Sequence, residues 1–247
     1  LYVSDPVEPA GLNEIIGANR ARITEMTEVS RLKDVEFELL RVVHPLTRNE
    51  STLARFNDLV KELMAHCAEP NFMIGVTGLS RGVGASYVAM NTAVALANDF
   101  RRTSLLVECN PHRTPLARML LPPPEVGLCD YLVQSELHVD DIVYAPGVAR
   151  MRAIPFGHDA AGAQALCGER MQQLLSAARA RYSDRFIVLD LPEVDALQAL
   201  QPLLDWLDGT VLVVPYGSSS STTARRAIDV IGSERLVGLV MNRVPTV

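Results

Sequence analysis

The stretch Val76-Thr-Gly-Leu-Ser-Arg-Gly-Val-Gly-Ala-Ser86, running on into Tyr87-Val-Ala-Met-Asn-Thr-Ala-Val-Ala-Leu-Ala97, decides how the rest of the chain is read. Ahead of it, residues 72–76 form an apolar run of strand length, and behind it residues 86–97 have the length and composition of a helix. Strand, glycine loop, helix is the setting of a phosphate-binding loop. Glycines at 78, 82 and 84 let backbone N–H groups converge on an anion at a helix N-terminus. Such loops end Gly-Lys-Ser/Thr, where the lysine reaches the β- and γ-phosphates and the hydroxyl holds Mg²⁺. This one ends Gly84-Ala85-Ser86: the hydroxyl position is filled and the lysine position carries a methyl group.

No other lysine of the α/β region can stand in. Of the 23 basic residues only Lys33 and Lys61 are lysines, and residues 62–247 contain none. Arg81 lies in the loop, but its planar fork is not equivalent to a lysine at the helix start. Losing one charge-assisted hydrogen bond costs about 1.5–3 kcal/mol. That is roughly a tenfold to hundredfold loss of nucleotide affinity. Phosphoryl transfer depends on charge stabilisation and should suffer at least as much.

Outward from the loop, strands are expected at 103–107, 186–189, 210–214 and 236–241, with helices at 170–181 and 223–231. Apolar runs without alternation point to strands covered on both faces. Strand–helix–strand order gives a doubly wound α/β domain over residues 70–247. Residues 1–69 read as a lead-in and a helical arm. No period is visible to about residue 27. A helix is then expected from Glu28 to Pro45 on Val29, Leu32, Val35, Leu39 and Leu40, and a second from a Ser51 cap to about residue 68. The Ser218–Thr223 run is expected to cap the last helix. The apolar content of 48% is enough for a packed core. A net charge of −6 argues against a dedicated nucleic-acid binder. No apolar run is long enough for a membrane span, and no signal peptide is visible. Cysteines 67, 109, 129 and 167 lack metal-site or redox spacing and read as reduced thiols of a cytoplasmic protein.

Further segments follow in a fixed order. Leu105-Leu-Val-Glu-Cys-Asn-Pro-His-Arg-Thr-Pro115 ends an apolar strand with Arg113 and Pro115 after it. Gly127-Leu-Cys-Asp-Tyr-Leu132 and Ile154-Pro-Phe-Gly157 come next. Then come Phe186-Ile-Val-Leu-Asp-Leu-Pro192, Asp208-Gly-Thr-Val-Leu-Val-Val214 and Val237-Gly-Leu-Val-Met-Asn-Arg243. In this order and spacing, residues 36–244 resemble the bacterial tyrosine kinases of capsule and exopolysaccharide assembly, relatives of the MinD/ParA ATPases. The resemblance implies a doubly wound, mostly parallel sheet of P-loop NTPase type with an N-terminal helical arm.

It also implies a site. The degenerate nucleotide-binding set is Gly78, Arg81, Gly82, Gly84, Ala85, Ser86 and Asn242, with Asn242 in the position that helps read the base. Mg²⁺, if bound, would fall to Ser86, Glu108 and Asp190, and the catalytic candidates are Glu108 and Asp190. Glu108 is one methylene longer than the family's aspartate, and Asn110 has lost the second negative charge. The family's Glu-x-x-Arg-x-x-Arg ring contact appears as Glu38, Arg41 and His44, expected along one helix flank. The family's C-terminal tyrosine cluster has no counterpart here after Tyr216.

The expectation is therefore a non-catalytic scaffold or regulator of exopolysaccharide or capsule export that needs no cofactor, with ATP and Mg²⁺ bound only if it is active. It would pair with a membrane polysaccharide co-polymerase on a separate chain, peripheral at the inner membrane, as a possible homo-oligomer or ring. The alternatives are an atypical tyrosine autokinase or ATPase, and a MinD/ParA-like positioning ATPase.

Overall fold

The structure, a computed structural model, describes residues 34–44, 50–67, 71–99, 102–112, 116–181, 185–217 and 220–244. The expected lead-in, Pro45, Pro70, Arg113, Pro115 and Ser218–Ser219 lie outside the described residues. The strands are β1 (Met73–Gly78), β2 (Thr103–Glu108), β3 (Met151–Ile154), β4 (Arg185–Asp190), β5 (Gly209–Pro215) and β6 (Leu236–Asn242). They form one sheet in the order β3-β2-β4-β1-β5-β6, every pairing parallel. β1, β2 and β4 are buried along their whole length, as their unbroken apolar runs require.

The helices are α1 (Asp34–Leu40), α2 (Glu50–His66), α3 (Ala85–Asn98), α4 (Leu116–Met119), α5 (Leu128–Val133), α6 (Val139–Ile142), α7 (Glu169–Arg181), α8 (Val194–Leu197), α9 (Gln201–Leu204) and α10 (Ser221–Ile231). This is the doubly wound fold of P-loop NTPase type. From β1 the chain crosses to β2, and from its neighbour β4 it crosses the other way to β5. Oppositely directed connections open a crevice at the carboxyl ends of the strands, where α/β folds take their ligands.

Helix α3 connects β1 to β2 and is buried on nearly every side. The sheet covers one flank and the arm the other. Phe37, Val42, Val43, Phe56, Val60 and Leu63 of the arm join the same apolar core as α3 and the sheet. Asn91, fully buried in α3, docks the arm through polar contacts. The Val43 N–H donates to its Oδ1 at 2.6 Å, and its Nδ2 donates to the carbonyls of Arg41 and Tyr87 at 3.2 and 3.0 Å.

Two expectations for the arm need correcting. Helix α1 stops at Leu40, well before Pro45, because Arg41 turns left-handed at φ 55° and the next residues run extended against Asn91. Glu38, Arg41 and His44 therefore do not share a helix flank. Glu38 and Arg41 are exposed, while the His44 ring folds back to stack on Phe37 at 4.3 Å. Helix α2 begins at Glu50, which places Ser51 inside it rather than at its cap. At α10 the expected capping is observed: Ser220 Oγ accepts the Thr223 N–H at 3.1 Å.

Candidate functional site

β1 delivers the loop at Gly78 and α3 takes it up at Ala85. Between them Gly84 caps the helix at φ 99°, a left-handed conformation that favours glycine. A Cβ at Gly84 would also run into the side-chain amide of Asn242. That amide does not stand free to read a ligand. Its Nδ2 donates to the Val83 carbonyl at 2.8 Å, and its Oδ1 accepts the Arg243 N–H at 2.9 Å. Arg243, at φ 61°, reaches back to the loop and donates from Nη2 to the Gly82 carbonyl at 2.6 Å. Two successive loop carbonyls are thus latched by the end of β6. Sequence reading singled out Asn242 and missed Arg243. The signal was there: a cationic residue directly after the last strand, at the carboxyl edge where ligands bind.

The carboxylates lie at the ends of the next two strands. Glu108 and Asp190 are register partners across β2 and β4. Glu108 is fully buried, and each of its oxygens accepts a backbone N–H: Oε1 from Leu116 at 2.9 Å, Oε2 from Phe156 at 3.2 Å. Burial pushes its carboxyl up to about 7, against the opposing pull of those two hydrogen bonds. Asp190 is 1% exposed, and neither oxygen has a well-formed hydrogen bond among the described residues. Burial lifts its carboxyl well above the usual range; the Ser86 hydroxyl beside it offsets part of that, and the Glu108 charge adds to it. Asn110 closes a local turn, accepting the His112 N–H at 3.0 Å.

This arrangement tests the fit of Mg²⁺. The metal set implied by sequence was Ser86, Glu108 and Asp190, with Asn110 already neutral. Glu108 has no exposed oxygen, and both oxygens are engaged by backbone. Asp190 is buried beside a like charge. What remains for the crevice is the Ser86 hydroxyl at the start of α3 and the buried Asp190 carboxyl at the end of β4. Mg²⁺ at a phosphate loop is held by the loop hydroxyl and one carboxylate together with phosphate oxygens and water; of that set Ser86 and Asp190 stand side by side, whereas Glu108 is engaged by backbone and Asn110 is neutral.

In front of the loop lies a cleft of about 990 Å³. Its cationic lining is Arg41, Arg118 and Arg243, His112 adds an imidazole, and the apolar wall includes Leu39, Tyr87, Met90 and Met119. Gly82, Gly84, Ser86 and Asn242 open onto it. Gly78, Arg81 and Ala85 instead line a smaller hollow of about 50 Å³ beside it, together with Asn110 and Glu193. Glu193, three residues after Asp190, was not anticipated.

Below the site, the two segments 127–132 and 154–157 meet. Leu128 N–H and Cys129 N–H donate to the carbonyls of Pro155 and Phe156, both at 2.8 Å. Asp130 is the hub, accepting N–H groups of Gly127 at 2.8 Å, His158 at 3.1 Å and Asp159 at 3.0 Å. Gly157 must be glycine here: its φ is +91°, and a Cβ would collide with the Asp130 carboxylate.

The class defined by this fold is a P-loop NTPase-like α/β domain. No protein-family model matches the chain, and no curated protein matches it in sequence. Solved structures do match in fold. The chimerical protein CapA2B2 superposes with a TM-score of 0.70 at 19% identity, over 82% of this chain and 87% of that one. The BceF tyrosine kinase domain gives 0.61 at 23% identity over 94% and 90%, respectively. The Pyrococcus furiosus cell division ATPase MinD gives 0.56 at 21% over 69% and 70%. The architecture is thus that of bacterial tyrosine kinase domains and of the MinD/ParA ATPases, as the sequence resemblance implied.

Proposed function

We propose that the chain is a non-catalytic relative of the bacterial tyrosine kinases. It acts as a scaffold or regulator in exopolysaccharide or capsule assembly and export, together with a membrane polysaccharide co-polymerase on a separate chain. The observation that carries this reading is Ala85. It occupies the first position of α3, where the loop lysine belongs, and no lysine occurs after residue 61. The engagement of Glu108 by Leu116 and Phe156 supports it, since a locked carboxylate does not organise phosphoryl transfer.

Among the described residues no helix is long and apolar enough to cross a membrane. The reading assigns membrane attachment to the partner, at the cytoplasmic face of the inner membrane. Glu38 and Arg41, both exposed, are the arm residues proposed to contact a neighbouring copy. The competing reading, an atypical autokinase or ATPase using Arg81 and Glu108, draws on Ser86 and Asp190 standing side by side. Both oxygens of its Glu108 already accept a backbone N–H. A MinD/ParA-like nucleotide cycle would need the same missing lysine.

The test is autophosphorylation. After prolonged incubation with Mg²⁺-ATP, intact-mass and peptide mass spectrometry should find no phosphotyrosine on the full chain. Phosphotyrosine that disappears in Asp190→Asn would overturn the non-catalytic reading.

A further inference from the structure

We infer that the outer edge of β6 pairs with the same edge of a second copy of this chain. The two strands run antiparallel about a two-fold axis at Val240 and join two sheets into one. The inference goes beyond the scaffold role and does not depend on it.

The two edges of the sheet differ. At the β3 edge Tyr144 closes the strand by an antiparallel bridge: its N–H donates to the Ala153 carbonyl at 2.8 Å, and its carbonyl accepts the Ala153 N–H at 2.9 Å. β3 is also only four residues long and carries Arg152. A short, charged and covered strand is a protected edge. β6, Leu236-Val-Gly-Leu-Val-Met-Asn242, has seven residues, no charge and no proline. Among the described residues no strand or bridge lies on its outer side.

That outer side combines hydrogen-bonding groups with apolar surface. Asn242 is the register partner of Pro215, and its carbonyl accepts the Tyr216 N–H at 2.9 Å. Successive residues of a parallel ladder turn their N–H and C=O to opposite sides. Gly238, Val240 and Asn242 therefore address β5, while Leu239 and Met241 turn their backbone groups outward. These two residues are 53% and 63% exposed and share one face, in register with Leu212 and Val214 of β5. Tyr216 and Val244 extend the exposed apolar surface past the end of the strand.

The strand is its own complement. With the axis at Val240, Leu239 of each copy faces Met241 of the other, and both carry outward backbone groups, so each such pair can exchange two hydrogen bonds. The two pairs lie on one face and make a single apolar cluster across the seam. Val240 faces its own counterpart as a closely spaced, non-hydrogen-bonded pair. Asn242 falls opposite Gly238, where a Cβ would meet nothing within 4 Å, and its amide stays with the Val83 carbonyl. Arg243 falls opposite Val237, so no like charges oppose each other. A foreign strand would have to reproduce this uncharged apolar pattern; a second copy brings it in register, in an isologous contact that closes at two.

The experiment is sedimentation velocity of the full chain over rising concentration, which should show a dimer forming from the monomer. Leu239→Lys puts a charge into the seam twice and should weaken the dimer about tenfold or more. Leu239 is exposed, so this variant should fold, and its melting temperature verifies it. A second variant reads the register. Across the axis the Val240 Cα atoms should lie about 4.5 Å apart, within the roughly 4.4–6.8 Å that a disulfide spans. Under mild oxidation Val240→Cys should yield a covalent dimer above the background of the four native thiols. Gly238→Cys, displaced along the strand from its own counterpart, should not. The Leu239 and Met241 amides should exchange more slowly as the dimer forms.

A monomer at every concentration, a dimer that Leu239→Lys leaves intact, or Gly238→Cys cross-linking as well as Val240→Cys would each overturn the proposal. Protection of those two amides in a chain that stays monomeric would assign the edge to the chain's own residues and overturn it as well. An assembly that Arg41→Ala dissolves and Leu239→Lys does not would be the arm contact, which overturns edge pairing and leaves the scaffold reading standing.

Discussion

Replacing Glu108 by Gln should change how the stability of the fold responds to pH. The carboxyl is fully buried between β2, Leu116 and Phe156, and its folded-state value is raised from 4.5 to about 7. A raised acid favours the fold in its protonated form. Its contribution is fully present below the unfolded value and is lost as pH rises through the folded one. A shift of about 2.5 units at 1.36 kcal/mol per unit is worth about 3 kcal/mol between roughly pH 4.5 and pH 8.5. Glutamine is isosteric and neutral throughout. One end of its amide still accepts a backbone N–H, while the other opposes a donor, a cost that does not vary with pH. Urea denaturation of both proteins at several pH values should show curves that diverge by about 3 kcal/mol towards alkaline pH, the variant gaining. Burial raises Asp190 in both proteins, and loss of the Glu108 charge lessens that shift in the variant, which adds to the divergence in the same direction. Parallel curves would refute the reasoning, because they would mean Glu108 is ionised and comfortable at neutral pH, as a metal ligand would be.

Three further outcomes follow. Ala85→Lys should tighten ATP binding in Mg²⁺ about tenfold or more by calorimetry, yet yield no hydrolysis, since Glu108 stays engaged. Asp130→Ala strips three backbone N–H groups of their acceptor and should cost about 3 kcal/mol or more in chemical denaturation, with fold-wide rather than site-limited effects. Asn91→Ala leaves the buried Val43 N–H unpaired and should cost about 2–3 kcal/mol, and hydrogen exchange should rise first in residues 34–44.

Much of the fold was legible because its signals are local. Residues 186–189 and 210–214 read as buried strands from their apolar runs, and β4 and β5 extend them by only a residue or two. The glycine loop announced its strand and helix through Gly84 and Ser86. The arm was harder. A three-four periodicity cannot see Asn91, which lies some fifty residues away and stops α1 at Leu40 by offering hydrogen bonds to Val43 and the Arg41 carbonyl. The site was legible in its losses and not in its replacements. Ala85 and Asn110 are departures visible in a motif. The commitment of Glu108 to Leu116 and Phe156 depends on chain folding over it, and Arg243 reaches Gly82 only because β6 ends beside the loop. Asp130 looked like one polar residue in a motif, although three backbone N–H groups from two segments close on its carboxylate.

The most direct measurement is single-turnover hydrolysis of labelled Mg²⁺-ATP with the full chain in excess, wild type beside Asp190→Asn. The expected result is no phosphate release above the protein-free control in either. Release by the wild type that Asp190→Asn abolishes would contradict it, and would make this lysine-free loop a working one.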